Sequence, residues 1–302
     1  MAQGADSTKA VIYALCANFA IAVTKYIAAA ITASGSMLAE AIHSTADCAN
    51  QLLLLLGLKR SKRAPTLDYP LGFGKETYFW SFMVAVMLFS VGGMFSIYEG
   101  WHKLHEPEEL KYPLLALGVL AFGIVAEGFS MWGALREVNK SRGEQNLWDW
   151  FRGSRNSELV VIFGEDLAAL LGLTFAFVAV LATWMTGNPV YDAAGGIAIG
   201  ILLVIVAIAV AIEVKALLIG QGVEAHVRKE MVEFLEGQPE IVRVIEFLTL
   251  HMGGDVMVAV KARMQPAASD VALIDAINAV ERSLRAAFPQ VRWCFFEPDL
   301  HD

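Results

Sequence analysis

AEAIHSTADCANQ, Ala39 to Gln51, lies inside an apolar run long enough to cross a bilayer, yet it carries Glu40, His43, Asp47 and Asn50. These positions fall three or four residues apart, so on a helix the four polar side chains share one stripe. A charged group at mid-membrane costs roughly 2.5–3.5 kcal/mol on insertion scales, and such clusters mark substrate or ion paths. His43 and Asp47, at i and i+4, have the reach and the donor chemistry to hold one divalent cation together. The plain alternative is an interhelical hydrogen-bond cluster, for which Ser, Thr or Asn would serve more cheaply.

The rest of the chain fits a membrane setting. Its 302 residues are 56% hydrophobic and only 18% charged, with a mean hydropathy of +0.52, whereas a soluble chain carries about 25% charge. The net charge of -8 does not decide orientation, because that follows local Lys and Arg. Cys16, Cys48 and Cys294 stand far apart with no CxxC spacing, so neither a disulfide framework nor a thiolate metal site is expected. No positively charged n-region or cleavage site opens the sequence, so the first apolar run is read as a retained span.

Six spans are expected, near residues 10–33, 38–58, 78–101, 113–135, 159–185 and 190–218. Lys25 interrupts the first and can snorkel or pair with an intramembrane acid. Lys59, Arg60, Lys62 and Arg63 follow the second span, and five basic residues lie in 136–158. Both loops are therefore placed in the cytoplasm, with both termini on that side. His102 and His105 beside Glu106 form either a solvated interfacial face or a peripheral metal site. From Gly220 the composition becomes that of a soluble α-β-β-α-β domain. The expected architecture is an α-helical membrane protein. A six-helix transport domain (1–219) precedes a C-terminal α+β, ferredoxin-like cytosolic domain (220–302).

In the fifth span the deep carboxylates are Glu165 and Asp166; Glu127 and Glu99 are weaker partners for the second-span site. The six spans, AEAIHSTAD, the YPLGFGKE loop and the α/β tail together resemble the cation diffusion facilitator family, over nearly the whole chain. The resemblance implies a homodimer with its tails in contact, exchanging a cytosolic divalent metal for protons. It also implies a site with two ligands from span two and two from span five, usually a second HxxxD. Here Ile162 stands at that second His position, so Glu165 beside Asp166 is the expected replacement. The metal ligands are thus His43, Asp47, Asp166 and Glu165, with Glu40 a weaker candidate. Tyr69 and Phe73 occupy places where the family's loop often has histidines, which removes that peripheral site.

One imidazole with several carboxylates suits zinc first, with Mn, Fe, Co or Ni as alternatives. No cofactor is expected. Metal binding needs neutral His43 and ionised acids, so it competes with protons and couples the two fluxes. A membrane enzyme would want a nucleophile or an HExxH motif, and neither appears. A nucleic-acid partner is disfavoured because the tail lacks a basic stripe. A membrane sensor that binds metal without moving it stays open. The expected location is a cell (inner) membrane.

Overall fold

The computed structural model describes residues 4–106 and 110–301, with side chains from Leu15 onward except at positions 16 and 17. Cys16 and the start of the polar lead therefore lie outside the described side chains. Two helices open the chain, α1 (Gly4–Thr32) and α2 (Gly35–Ser61). The third span is α3 (Glu76–Met87), a π-helical segment (Leu88–Met94) and α4 (Phe95–His105) in one continuous rod. After it come α5 (Pro113–Ser141), the short α6 (Leu147–Gly153), α7 (Ser157–Thr186) and α8 (Val190–Ile219).

Four described helices, 76–105, α5, α7 and α8, are long and apolar enough to cross a membrane. α2 is 27 residues long, about 40 Å at 1.5 Å per residue, and falls short of them in apolarity because of its polar stripe. Helices satisfy their own backbone groups, which lipid demands. Bulky side chains point outward, among them Phe122, Phe129 and Trp132 on α5 and Ile205 and Ile212 on α8, as suits a lipid-facing surface. The inward core draws small and branched residues from several helices, such as Ala29, Ala39, Leu120, Leu173 and Leu203. Helix ends follow their local chemistry. Asn156 accepts from the Leu159 amide at the start of α7, and Gly187 (φ 68°) closes it.

The turn into α2 is fixed from a distance. Asp192, buried near the start of α8, accepts from the Gly35 amide and from the hydroxyls of Ser34 and Ser36. A carboxylate at a helix N-terminus satisfies its free amides and its dipole together. Close approach ties α8 to the third span: a Cβ on Gly200 would sit 2.7 Å from the Gly93 carbonyl oxygen. The π segment and α6 are additions to the sequence reading, as is the extension of α5 to Ser141.

The chain resolves into two compact units. The first holds most of the long helices. The second takes in Leu58–Tyr78, Gly153–Arg155 and Lys215–Asp302. Its folded part runs α9 (Ala225–Glu236), β1 (Ile241–Met252), β2 (Asp255–Met264), α10 (Asp270–Ala287) and β3 (Val291–Pro298), the α-β-β-α-β order read from the sequence. β1 and β2 pair antiparallel and β2 and β3 parallel, with α10 as the crossover. Alternate β2 residues, Val256, Val258, Val260 and Ala262, are buried with Met231 and Leu235 of α9 and Val280 and Leu284 of α10. Both helices therefore cover one sheet face.

Loop residues complete this second unit. The Tyr78 hydroxyl accepts from the Gly253 amide at 3.0 Å and donates to its carbonyl at 3.3 Å. Gly74 leaves no room for a side chain against the Met252 carbonyl. Arg155 Nε donates to the Gly222 carbonyl at 2.7 Å. In the YPLGFG loop the Tyr69 and Phe73 ring centres lie 4.7 Å apart with the rings tilted by 40°, and the Arg63 guanidinium sits 4.6 Å from the Phe73 ring centre. Aromatic packing fills this loop.

Candidate metal centre

The stripe predicted on α2 is present and faces inward. Glu40, His43 and Asn50 are each 0% exposed, in a helix whose outer face carries Leu52 at 54%. The His43 Nδ1 to Asp47 Oδ1 distance is 3.5 Å, so the i, i+4 spacing brings imidazole and carboxylate together. Neither ring nitrogen of His43, nor Asp47 Oδ1, nor Asn50 Oδ1 has a hydrogen-bond partner among the described residues. Buried polar atoms are normally paired, and a bound ion or ordered water would supply the partners that this stripe lacks among the described residues.

The span-five acids part ways. Glu165, nearly buried, accepts a hydrogen bond from Asn50 Nδ2 and so faces α2. Asp166 accepts from Ser130 Oγ at 3.1 Å and so faces α5. Adjacent helical residues point about 100° apart, which is why one acid reaches the stripe and the other leans away. Ile162, at the position where a second His would stand, is 40% exposed.

Glu40 has another partner. Lys25 Nζ lies 3.2 Å from Glu40 Oε2 and donates to Ser44 Oγ at 2.7 Å, with the lysine and glutamate side chains 2% and 0% exposed. The sequence left Lys25 between snorkelling and pairing; the structure pairs it. Glu40 Oε1 remains unpartnered and packs against Gly172 of α7. Among the described residues, no three His, Cys, Asp or Glu side chains gather closely enough to hold a metal as they stand. The arrangement is one His–Asp pair with Glu165 turned toward it, Asp166 on the α5 side and Glu40 held by a lysine. Sequence reasoning placed Asn50 on the stripe but did not see it bridge α2 to α7; its i+3 spacing from Asp47 was the available signal. Ser130 carried no such signal.

The other histidines are apart from this centre. His102 Nε2 is 3.7 Å from Glu106 Oε2, with side chains 54% and 77% exposed, a solvated pair. His251 sits in β1 of the tail.

A model of the cation efflux transmembrane domain matches residues 11–219. The chain belongs to the cation efflux family. Among curated members it is 34% identical to the mitochondrial proton-coupled zinc antiporter SLC30A9 of Xenopus laevis, over 81% of this chain and 44% of that protein. The human counterpart is 31% identical over the same shares. Metal tolerance protein C4 of Arabidopsis thaliana is 34% identical over 76% of this chain and 50% of that protein. The chain thus spans half the length or less of these family members. Family membership accounts for the helical membrane architecture and directs attention to the buried stripe.

Proposed function

We propose that this chain is a transporter, not an enzyme, which exports a divalent transition metal from the cytosol in exchange for protons. Zinc is its first substrate, with Mn, Fe, Co and Ni as alternatives. The observation that carries this reading is the fully buried His43 paired with Asp47, with unpartnered nitrogen and oxygen atoms, opposite Glu165 on α7. Imidazole with carboxylate oxygens is a donor set for borderline cations. Relatives whose names include proton-coupled zinc antiporter support the same substrate and coupling.

His43, Asp47 and Glu165 are the ligands in this reading, with Asp166, about 100° round α7 from Glu165, joining only through a local adjustment of that helix, and Glu40 freed only when Lys25 lets go. A cation competes with protons for these groups, so affinity rises with pH. Protons arriving from the far side displace the metal and drive its exit. Alternating access follows if α2 and α7 rock against their neighbours. Residues 1–219 form the transport domain and 220–302 the cytosolic tail, with both termini on the cytosolic side. The working form is a homodimer in the cell (inner) membrane, or in an inner mitochondrial membrane in line with the names of its relatives.

Uptake of zinc into proteoliposomes under an imposed pH gradient tests the proposal. Wild type is expected to accumulate zinc with the gradient, and His43→Ala and Asp47→Ala to fall to background. Either variant transporting at the wild-type rate refutes the site. Metal binding without transport under any gradient makes the chain a sensor instead.

A further inference from the structure

Asn50 is the residue in this centre whose chemistry the family resemblance leaves unused. It is 0% exposed, on the same face of α2 as Asp47 and one turn further along. Its amide is divided between two tasks. Nδ2 donates to Glu165 Oε1, which spends the donor end on an acid of α7. Oδ1 is buried with no partner among the described residues. A buried carbonyl oxygen left without a hydrogen-bond partner is costly, and a cation would offset that cost. Residues at i and i+3 of a helix are neighbours, which puts Asn50 next to Asp47 on this face of α2. Asp47 Oδ1 is likewise unpartnered.

We propose that Asn50 is both a ligand and a positioning residue of the cation site. Its Nδ2 fixes Glu165 toward α2, and its Oδ1 supplies a neutral oxygen donor beside Asp47. This rests on the transport site proposed above and adds to it a fourth donor. A neutral carbonyl beside the single imidazole and the carboxylates hardens the donor set without adding negative charge. The site should therefore tolerate Mn and Fe better than a two-histidine site does. Without Asn50, Glu165 loses the bond that aims it, and residues that aim metal ligands typically matter 10–100-fold in affinity, on the order of the loss expected here.

Cobalt(II), a coloured probe of coordination, distinguishes the possibilities in the purified full-length protein. Binding and the visible ligand-field spectrum would be compared for wild type, Asp47→Ala, Asn50→Ala and Asn50→Asp. The expected result is loss of binding in Asp47→Ala, and roughly 10–100-fold weaker binding with an altered spectrum in Asn50→Ala. Only part of the affinity is expected back in Asn50→Asp, which keeps an oxygen beside Asp47 but lacks the amide that donates to Glu165. If Asp47→Ala loses cobalt while Asn50→Ala binds it with wild-type affinity and spectrum, the role of Asn50 is overturned and the transport site stands. If Asp47→Ala also binds normally, the site itself is wrong. Should Asn50→Ala not fold, Asn50→Asp decides alone: an unchanged spectrum and unchanged Mn-to-Zn preference overturn the proposal.

Discussion

At the scale of single residues, the buried ion pair on α1 and α2 makes a sharp energetic statement. Lys25 and Glu40 are 3.2 Å apart and almost wholly out of solvent. Removing one partner of such a pair strands the other charge, a loss of about 3–5 kcal/mol, whereas removing both together is far milder. Glu40→Gln alone should destabilise the protein strongly, and Lys25→Met combined with Glu40→Gln should recover most of the loss. Unfolding in detergent, analysed as a double-mutant cycle, measures this coupling; additive single effects would show that the pair contributes nothing. The stripe itself was legible because spacing alone puts residues 40, 43, 47 and 50 on one face. Which acid met which partner was not. The rotation of α7 about its axis decides whether Glu165 or Asp166 faces α2, and rotation is set by neighbours, not by the helix's own sequence.

At the scale of elements, β1 carries a pH-sensitive position. Burial is the main influence holding His251 below its ordinary value of 6.5, aided by the Arg155 charge, while a backbone bond to Gly253 and the Glu224 charge pull the other way. A depressed histidine binds fewer protons folded than unfolded. Its contribution is therefore present above the unfolded value and is lost as pH falls below about 6.5. Hydrogen exchange of the β1 amides, corrected for intrinsic rates, should show protection falling as pH drops from neutral through 6. His251→Gln should flatten that dependence, and an unchanged slope in the variant would remove His251 as its source. The tail's element order was legible from period-2 strands and amphipathic helices. The π segment at Leu88–Met94 was not, because one extra residue in a helical turn leaves an apolar stretch looking uniform.

At the scale of the molecule, the uncovered sheet face of the tail is the feature to test for assembly. Register aligns Leu248 with Ala259 and Phe295, and Leu250 with Met257 and Trp293. Leu248 and Phe295 are 57% and 56% exposed. A row of Glu246, Lys261 and Glu297 lies next to these apolar rows, and Lys261 Nζ is also 2.7 Å from Asp299. An apolar patch rimmed by charge is what a second copy would cover. If the proposed homodimer closes through this face, Leu248→Glu with Phe295→Glu should halve the protein mass measured by light scattering in detergent; a mass equal to that of the wild type would remove this face as the contact. The joining of residues 58–78 to the tail escaped the sequence because its bonds are largely to backbone, such as Tyr78 to Gly253. That joining has a bearing on biosynthesis. Chains emerge from the ribosome N-terminus first, so Tyr78 and Arg155 are made long before Gly222 and Gly253, the groups they bind. The second unit cannot close until every long helix has been synthesised.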